Sequence, residues 1–349
     1  MFTLDSRAVK PGDTFVAVKG ERVDGHDFIA DAKARGAVRI IDGVEELQSA
    51  AREYRRELGA KVIAVTGSAG KTTVKEFLKT FLRCYGTEGN FNNHLGLPLT
   101  LLNAPRSSRY IVVEMGTNHP GEIVALCDIA EPDIGVIASI GTAHLEFFKT
   151  QRGIAEEKGV LFSRTREFNV VAADCNELET LEKMSAARLF KVDTSSTRGL
   201  VCPLPGAHSR SNMMLAWTVA EELGVGLEEA AERLEKFALP GARWRKTKIG
   251  EVVYIDDSYN ANPDSMKAAI DAFGGKVAVL GDMGELGTRS RELHREVLAY
   301  AYAKGLKVVT VGRQFALAEL DLISSGEVLL KGSHAMNLSS LIDERKQTK

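Results

Sequence analysis

The chain has 349 residues, which at roughly 100–200 residues per domain predicts two or three domains. Hydrophobic residues make up 44% and charged residues 26%, a balance typical of a globular protein that buries its core without metals or disulfides. The formal net charge of −2 excludes an overall basic field that would draw the chain to nucleic acid or to a membrane surface.

The four cysteines, Cys84, Cys127, Cys175 and Cys202, are widely spaced and form no C-x-x-C pair. This spacing argues against a disulfide framework or a zinc knuckle and suits a reducing cytoplasm. The first ten residues lack the apolar segment of a secretory signal, and no apolar run approaches the ~18 residues of a membrane span. We therefore expect a soluble cytoplasmic protein.

Strand-like and helix-like segments alternate along the chain, which predicts an α/β fold with mostly parallel sheets. The first 47 residues contain a strand at 14–18 and a helix that ends near Gly36, too little for an independent core. Strands follow at Lys61–Thr66, Tyr110–Glu114, 134–139 and 169–173, with helices at 71–84, 121–130 and 152–162. After Pro240, strands at 251–255, 276–280 and Lys307–Val311 alternate with helices at 263–273 and 289–304. This organisation predicts three domains, at 1–47, 48–240 and 241–349.

A glycine-rich loop connects the first strand of the predicted central domain to the helix that follows, and it consists of Gly67, Ser68, Ala69, Gly70, Lys71, Thr72 and Thr73. Glycines let backbone N–H groups turn toward phosphate oxygens, and the helix N-terminus adds partial positive charge. A lysine at this position reaches the β- and γ-phosphates, and a threonine hydroxyl ligates Mg²⁺. The spacing is shorter than in the common G-x-x-x-x-G-K-[ST] loop. The loop predicts an ATP site, and the alternative is a glycine-rich turn that caps a helix.

Three further side chains are candidates for the same site. Glu114 ends one predicted strand and His144 follows the next, and ligands of parallel sheets bind at the carboxyl ends of strands. A carboxylate there holds Mg²⁺, and a neutral imidazole serves as a second metal ligand. Lys158 lies on a helix that we expect to cross the same cleft. The residues alone leave open a solvated strand end for Glu114, a structural role for His144 and a surface position for Lys158.

The chain resembles the Mur ligase family. The loop TGSAGKTT (66–73) is typical of the family as a whole. Five further runs narrow the resemblance to the branch that adds D-alanyl-D-alanine to UDP-N-acetylmuramoyl-tripeptide: GNFNNHLGLP (89–98), EMGTNHPGEI (114–123), IDDSYNANPDSM (255–266), LGDMGELG (280–287) and LKGS (330–333). The match runs in order over nearly the whole chain. It implies a central P-loop-type sheet with helices on both faces, a Rossmann-like C-terminal domain and a small, truncated N-terminal α/β domain.

The resemblance implies an ATP-dependent amide ligase of peptidoglycan precursor synthesis, and so a role in cell shape and division, that works through an acyl phosphate. Lys71 would cradle the β- and γ-phosphates, Thr72 and Glu114 would hold one Mg²⁺, and His144 would hold a second. Lys158 matches the family lysine that CO₂ converts to a carbamate, an anionic ligand for the second Mg²⁺. Residues implied near the nucleotide are His208, Asn212, Arg243, Asp257, Tyr259 and Asn260.

The resemblance also implies which residues face the two organic substrates. Asn92, Asn93, His94 and Asn118 match the stretches that face the peptide. The uridine-nucleotide segment is matched by Ser6, Arg7, Asp24, Gly25 and His26. We expect a monomer whose partners are UDP-N-acetylmuramoyl-tripeptide and D-alanyl-D-alanine, with no nucleic acid and no membrane insertion.

The N-terminal domain is shorter than the family pattern, since the chain begins almost at the run Asp5-Ser6-Arg7. This motivates one alternative, a Mur-type ligase redirected to another carboxylate such as a cofactor precursor. A non-catalytic nucleotide-binding homologue is the alternative from a different class. The retained Lys71, Glu114, His144 and Lys158 argue against that second alternative.

Overall fold

The computed structural model describes residues 1–20, 22–143, 145–313 and 326–347. These residues form three sheets, which follow one another along the chain and are called here the N-terminal, central and C-terminal sheets. No helix in the described ranges is long and apolar enough to cross a membrane.

The N-terminal sheet has three parallel strands in the order β1-β2-β3. Its elements are β1 (Phe2–Thr3), β2 (Thr14–Ala17), α1 (Ile29–Ala34) and β3 (Arg39–Asp42). Phe15 and Ala17 of β2 face a small cluster beneath α1. Val16, on the opposite face, joins the core of the central sheet together with Ile41. The N-terminal sheet therefore packs on the central region, and β1 and β3 are too short to give a periodic sequence pattern.

The central sheet has six parallel strands in the order β5-β6-β4-β7-β8-β9. Its strands are β4 (Lys61–Thr66), β5 (Tyr85–Gly86), β6 (Tyr110–Glu114), β7 (Ile134–Ile137), β8 (Phe168–Ala172) and β9 (Arg188–Val192). The helices of this region are α2 (Gly43–Glu57), α3 (Lys71–Leu82), α4 (Gly96–Leu102), α5 (Glu122–Ala130), α6 (Leu145–Phe148), α7 (Gln151–Arg164), α8 (Leu178–Met184), α9 (Ala207–Glu222) and α10 (Leu227–Leu234).

Both faces of the central sheet are buried, which explains why β4 is apolar at almost every position. Val62 and Ala64 face one cluster, to which α2, α4, α5 and α7 contribute. Ile63 and Val65 face the other, to which α3, α9 and α10 contribute. The predicted α/β class with helices on both faces of a parallel sheet is confirmed.

The C-terminal sheet has five strands in the order β10-β11-β14-β12-β13, and β10 is antiparallel to β11 while the other pairs are parallel. Its elements are β10 (Arg245–Ile249), β11 (Val252–Asp256), α11 (Pro263–Ala272), β12 (Val277–Gly281), α12 (Ser290–Ala303), β13 (Lys307–Val311), β14 (Gly326–Lys331) and α13 (Ser340–Gln347). Helix α11 begins where predicted because Asn262 and Ser265 form reciprocal capping hydrogen bonds and Pro263 occupies the first turn.

Helix α2 passes through residue 47, where the boundary between the first two domains was predicted. It begins directly after β3 and buries Leu47 and Ala51 against the central sheet. The division into domains at 1–47, 48–240 and 241–349 stays a prediction.

A buried ion pair joins α2 to the central sheet. Arg55, only 4% exposed, donates from Nη2 to Oδ2 of Asp133 at 2.8 Å and from Nε to the carbonyl oxygen of Ala130 at 2.7 Å. The same Asp133 oxygen accepts the backbone N–H of Val62 at 2.8 Å. Burial lowers the pKa of Arg55, and the Asp133 carboxylate opposes that shift. Loss of the arginine would remove the buried cation from Asp133 and leave only the half-exposed Arg166, whose Nη2 lies 2.8 Å from Asp133 Oδ1.

We expect Arg55→Ala to lower the free energy of unfolding by about 3–5 kcal/mol, the usual cost of breaking a buried ion pair from one side. The measurement is the urea midpoint followed by circular dichroism. Arg56→Ala is the matched control, because Arg56 pairs with Glu131 at the surface, and we expect a change below about 1 kcal/mol. Equal shifts in the two variants would contradict the prediction.

Candidate functional site

The glycine-rich loop lies at the carboxyl edge of the central sheet, between β4 and α3. Gly67 has a φ of 152° and Gly70 a φ of 83°, values that other residues rarely adopt. A Cβ atom on Gly70 would also lie 2.5 Å from Oδ1 of Asn212 on α9. The backbone conformation therefore requires both glycines, and the close approach of α9 is a second reason for Gly70.

Ser139, which follows β7, holds this loop in position. The backbone N–H of Ser68 donates to the Ser139 carbonyl oxygen at 2.9 Å, and that of Ala69 donates to Ser139 Oγ at 3.0 Å. Two N–H groups of the loop thus bind Ser139 instead of facing outward. A phosphate would meet the N–H groups of the first turn of α3, which have no acceptor within the helix.

The Glu114 carboxylate is buried at the end of β6, beside β4. Its Oε2 accepts from Thr72 Oγ1 at 2.9 Å and its Oε1 from Asn92 Nδ2 at 2.9 Å. The fully buried Lys75 has its Nζ 3.8 Å from Oε2 and donates to the carbonyl oxygen of Thr87 at 2.8 Å. Three of the residues predicted from sequence therefore lie in direct contact, beside a lysine that the sequence analysis did not assign.

Lys71 begins α3 and lies among the charges of this site. Its Nζ donates to the carbonyl oxygen of Gly67 at 2.8 Å. Burial lowers the pKa of Lys71, the Glu114 carboxylate counteracts this, and the Arg243 guanidinium adds to it. The ammonium group is thus partly buried and only partly balanced by negative charge.

Lys158 on α7 is 1% exposed, so a surface position is excluded. Its Nζ has no hydrogen-bond partner among the described residues. Burial and, to a smaller extent, the Lys71 ammonium lower the pKa of Lys158 to about 7, while Glu157 and Glu122 oppose the shift. Lys158 is therefore a buried amine, with a substantial neutral fraction near neutral pH.

His144, predicted as a metal ligand, lies outside the described residues. Of the other predicted ligands, Thr72 and Glu114 are hydrogen-bonded to each other. Over the described part of the chain, no group of three or more His, Cys, Asp or Glu side chains is arranged to hold a metal ion. The predicted ligand set differs from such a group because it includes a threonine hydroxyl and a modified lysine.

The C-terminal region reaches the glycine-rich loop through Arg243. Its Nη2 donates to Thr72 Oγ1 at 3.2 Å, and its guanidinium carbon lies 3.5 Å from the centre of the Tyr259 ring. A planar cation stacked on an aromatic face has a restricted orientation. The stacking therefore directs the guanidinium toward the loop.

Two residues at the start of α11 also contact the central region. Oδ2 of Asp264 accepts from the backbone N–H of Thr142 at 2.7 Å and from its Oγ1 at 2.8 Å. Nδ2 of Asn262 donates to the carbonyl oxygen of Ser68 at 3.4 Å. The central and C-terminal sheets thus meet directly at the glycine-rich loop.

A cleft of about 400 Å³ lies where these parts meet. Fourteen of the residues predicted from sequence line it: Ser68, Ala69, Gly70, Lys71, Thr72, Thr73, Asn92, Glu114, His208, Asn212, Arg243, Asp257, Tyr259 and Asn260. His208 and Asn212, one helical turn apart, line it from α9, and burial lowers the pKa of His208. Gly67 and Lys158 are not among the lining residues.

The five residues predicted on the uridine-nucleotide segment lie in the N-terminal region and do not line the cleft. Oδ1 of Asp24 lies 2.5 Å from Nδ1 of His26, and Nε2 of His26 lies 2.8 Å from Oδ1 of Asp42. Hydrogen bonds to Asp24 and then Asp42 raise the pKa of His26. Ser6 is buried, and the exposed Arg7 is paired with a neighbouring aspartate.

Three of the residues predicted to face the peptide lie outside the lining of the cleft. Oδ1 of Asn93 accepts the backbone N–H groups of Leu95 and Gly96 at the start of α4, a capping role. His94 is exposed, and the backbone N–H of Asn118 donates to Glu122 Oε2 at 2.7 Å. Asn92 alone of this group lies in the cleft.

Four residues that shape the site were given no role from the sequence, and they are Ser139, Asp264, Lys331 and Lys75. Nζ of Lys331 donates to the carbonyl oxygens of Asp257 and Asn260, which fixes the loop after β11. Lys75 follows Lys71 by one helical turn, a spacing from which a shared helix face could have been predicted. No comparable local signal exists for Asp264, whose partner is 122 residues away.

Three family descriptions match the chain. The Mur ligase family catalytic domain matches residues 1–78, the Mur ligase middle domain residues 65–202, and the Mur ligase glutamate ligase domain residues 242–344. The UDP-N-acetylmuramoyl-tripeptide–D-alanyl-D-alanine ligase of Escherichia coli (strain K12) is 33% identical and aligns with 89% of this chain and 81% of its own. The enzyme of the same name from Bacillus subtilis (strain 168) is also 33% identical, over 84% of this chain and 75% of its own.

Solved structures agree over the whole chain. MurF from Acinetobacter baumannii superposes with a TM-score of 0.89 at 28% identity and covers 99% of this chain and 93% of its own. The MurF ligase from Thermotoga maritima, solved in complex with ADP, gives a TM-score of 0.80 at 28% identity and covers 100% of this chain and 98% of its own. On these similarities in sequence and structure, the chain belongs to the Mur ligase family.

Proposed function

We propose that this Mur ligase uses ATP to add D-alanyl-D-alanine to UDP-N-acetylmuramoyl-tripeptide in peptidoglycan precursor synthesis. The single observation that carries the proposal is the cleft in which Lys71, the Thr72–Glu114 pair and Arg243 converge from two sheets. The substrates are those named for the relatives from Escherichia coli and Bacillus subtilis. The related Thermotoga maritima structure, in complex with ADP, supports a nucleotide in this cleft.

The nucleotide is proposed to lie with its phosphates on the glycine-rich loop. Lys71 and the first turn of α3 offer an ammonium group and backbone N–H donors to the β- and γ-phosphates. Arg243 approaches the same phosphates from the C-terminal side, since its guanidinium already reaches Thr72. His208, Asn212, Asp257, Tyr259 and Asn260 line the remainder of the cleft and are proposed to bind the nucleoside.

The residues around Glu114 fit Mg²⁺, which prefers oxygen ligands. Thr72 Oγ1 and Glu114 Oε2 are 2.9 Å apart, and the buried carboxylate is oriented by Asn92. We assign these two oxygens to one ion, and His144 together with a carbamate on Lys158 to a second. When bound, the ions would neutralise charge on the phosphate oxygens during phosphoryl transfer.

The burial of Lys158 beside Lys71 supports the carbamate. Two ammonium groups in one buried region repel each other, and Lys158 Nζ lacks a compensating hydrogen bond among the described residues. A neutral amine attacks the carbon of CO₂, forms an N–C bond and loses a proton to solvent. The product carries a negative charge, so modification changes repulsion from Lys71 into attraction.

The proposed reaction has two steps. A carboxylate oxygen of the tripeptide attacks the γ-phosphorus of ATP, the bond to the β–γ bridging oxygen breaks, and ADP leaves. The amine nitrogen of D-alanyl-D-alanine then attacks the carbonyl carbon of the acyl phosphate, phosphate leaves and the nitrogen loses a proton. Lys71 and Arg243 neutralise the transferring group, and contact between the two sheets excludes water that would hydrolyse the acyl phosphate.

We propose further that the N-terminal sheet binds the uridine nucleotide through the segment around Asp24 and His26. The enzyme is proposed to act as a monomer in the cytoplasm. All four cysteines are free thiols, which suits a reducing compartment and supports the cytoplasmic location.

The proposal is tested by incubating the purified protein with ATP, Mg²⁺, UDP-N-acetylmuramoyl-tripeptide and D-alanyl-D-alanine. We expect the pentapeptide product by mass spectrometry and one phosphate per product. Lys71→Ala is expected to lower kcat by about 100- to 1000-fold, because it removes a charge that stabilises the transition state. Lys79→Ala, on the same helix but paired with Glu76, is the matched control.

Two outcomes of that assay would contradict the proposal. Phosphate release with another acid, and none with the uridine substrate, would favour a Mur-type ligase of different specificity. Absence of phosphate release with every acid and amine would favour a non-catalytic homologue.

The carbamate makes activity dependent on CO₂ and on pH. With the pKa of Lys158 at about 7, the neutral amine predominates above that pH and the ammonium below it. At fixed dissolved CO₂, we therefore expect carbamylation and activity to rise as pH increases through 7. A carbamate signal in ¹³C NMR with labelled bicarbonate should be present in the wild type and absent in Lys158→Ala.

Lys158→Ala should also lose activity and regain part of it with added formate, a small carboxylate that fits the space left by the side chain. Lys183→Ala, at an exposed position on α8, serves as the control. An unchanged NMR signal in Lys158→Ala, or full activity in buffer free of CO₂, would contradict the assignment.

Arg243→Lys keeps the charge but removes the planar group stacked on Tyr259. Cation–π contacts contribute about 0.5–2 kcal/mol, so we expect the KM for ATP to rise between about 2-fold and 30-fold. Arg245→Lys, at an exposed position on β10, controls for the substitution itself. An equal change of KM in both variants would show that the stacked arginine has no specific role.

A further inference from the structure

Residues 117–123 lead from the end of β6, where Glu114 lies, into the first turn of α5, and they are called here the β6–α5 segment. Just before this segment, the backbone N–H of Gly116 donates to the carbonyl oxygen of Asn92 at 2.8 Å, and Asn92 in turn binds the Glu114 carboxylate. Ligands of parallel sheets bind beyond the carboxyl ends of the strands. A substrate carboxylate that attacks the γ-phosphorus would therefore lie beside the β6–α5 segment.

The buried side chain of Glu157 on α7 binds this segment. Its Oε2 accepts the backbone N–H of Gly121 at 2.8 Å, and its Oε1 accepts that of Ile123 at 2.9 Å. Oγ1 of Thr117 lies 3.5 Å from the same Oε1. One carboxylate therefore holds the β6–α5 segment at both of its ends.

Glu157 also caps α5 from a distant part of the chain. The N-cap residue of α5 is Gly121, which has no side chain to accept the N–H groups of the first turn. A carboxylate stabilises these N–H groups and the partial positive charge of a helix N-terminus. The two N–H donors in turn satisfy a carboxylate that would be costly to bury without hydrogen bonds. The position of α5 therefore depends on Glu157.

Further contacts fix the middle of the segment. Oε2 of Glu122 accepts the backbone N–H groups of Asn118 at 2.7 Å and His119 at 3.1 Å, and Thr117 Oγ1 donates to the carbonyl oxygen of His119 at 2.9 Å. The His119 ring packs on Phe147 of α6, with ring centres 4.3 Å apart. The segment is thus held in one conformation, with Asn118 and His119 exposed at its surface.

Glu157 and Lys158 are neighbours on α7, and neighbouring side chains of a helix differ in direction by about 100°. Lys158 lies near enough to Lys71 to be repelled by its charge, whereas Glu157 lies against the start of α5. One helix therefore fixes the β6–α5 segment relative to the buried amine and to the glycine-rich loop.

We infer that Glu157 is a positioning residue for the substrate that carries the attacking carboxylate, because it holds the β6–α5 segment in place beside Glu114. The inference rests on the proposed function and concerns the binding of the tripeptide substrate. A segment that is ordered before binding loses less conformational entropy when the substrate binds. The partners of Glu157, which are Gly121, Ile123 and Thr117, do not line the nucleotide cleft, so binding of ATP does not depend on them.

The test compares Glu157→Gln with Glu156→Gln, a matched control because Glu156 is exposed on the same helix and pairs with Arg152. Glutamine has one acceptor oxygen, so it binds one of the two N–H groups of α5 and leaves the other unpaired. For Glu157→Gln we expect the KM for UDP-N-acetylmuramoyl-tripeptide to rise about 10-fold, as for loss of one hydrogen bond to a charged group, while kcat and the KM for ATP stay within about 2-fold of the wild type. Glu156→Gln should keep all three values.

Hydrogen exchange gives a second measurement that does not depend on turnover. The backbone amides of Gly121 and Ile123 should exchange faster in Glu157→Gln, while those of α3 keep the wild-type rate. Thr117→Val removes the hydroxyl between Glu157 and the carbonyl oxygen of His119. It should raise the KM for the tripeptide to a smaller extent, and it decides the question if Glu157→Gln does not fold.

The outcomes distinguish failure of this inference from failure of the proposed function. If the wild type forms no pentapeptide, the proposed function fails and this inference fails with it. If the wild type forms the pentapeptide but Glu157→Gln keeps its KM for the tripeptide, or raises the KM for ATP by the same factor, the role assigned to Glu157 is overturned. Unchanged exchange at Gly121 and Ile123 would overturn it as well.

Discussion

Positive charge converges on one buried carboxylate, and the arrangement of the site depends on how that charge is balanced. Lys71, Lys75 and Arg243 surround Glu114, while Lys158 lies close enough to Lys71 for the two charges to repel. Charges act more strongly on each other when buried, because the local dielectric constant is low. Lys75 is balanced by Glu76, by Glu114 and by a carbonyl oxygen, which leaves Lys71 and Arg243 as the cations that a triphosphate would neutralise.

The balance of charge around Glu114 links nucleotide binding to the relative position of the central and C-terminal sheets. Three hydrogen-bonded contacts join the C-terminal region to the central region. Arg243–Thr72 and Asn262–Ser68 reach the glycine-rich loop itself, and Asp264–Thr142 reaches the segment after β7 that holds the loop. Each is polar and involves few atoms, so each contributes little stabilisation on its own. A phosphate bound between Lys71 and Arg243 would add charge-assisted hydrogen bonds across the same boundary. Nucleotide binding is therefore expected to stabilise the contact that shields the acyl phosphate from water.

Local sequence patterns predicted the parts of this site that depend on local structure. Lys61–Thr66 is a buried parallel strand because both faces of the sheet are covered, and the glycines after it have the positive φ values that a tight loop requires. The same reasoning failed for β9, because this strand is partly exposed at the edge of its sheet. Contacts such as Asp264–Thr142 arise only from tertiary packing, which no local pattern records.

Lys158 illustrates why burial is hard to infer from sequence. Periodicity alone favoured a surface position for this lysine, but α7 is covered on one side by the central sheet and on another by α8. Gly159 allows this close packing, since a Cβ atom there would lie 2.5 Å from Sδ of Met184. The resemblance to the Mur ligases implied a special role for this lysine, and its burial and lowered pKa support the carbamate proposed for it.

The N-terminal and C-terminal sheets are joined to the central sheet by different kinds of contact. Helix α2 begins directly after β3 and buries Leu47 and Ala51 in the same core as Val16 and Val62, and the Arg55–Asp133 pair fixes its far end. These two sheets therefore share one hydrophobic core. The C-terminal sheet has its own core and meets the loop mainly through hydrogen bonds. Disrupting a shared core costs far more free energy than breaking a few polar contacts. Release of product is therefore expected to require movement of the C-terminal sheet, while the N-terminal sheet keeps its distance from Lys71.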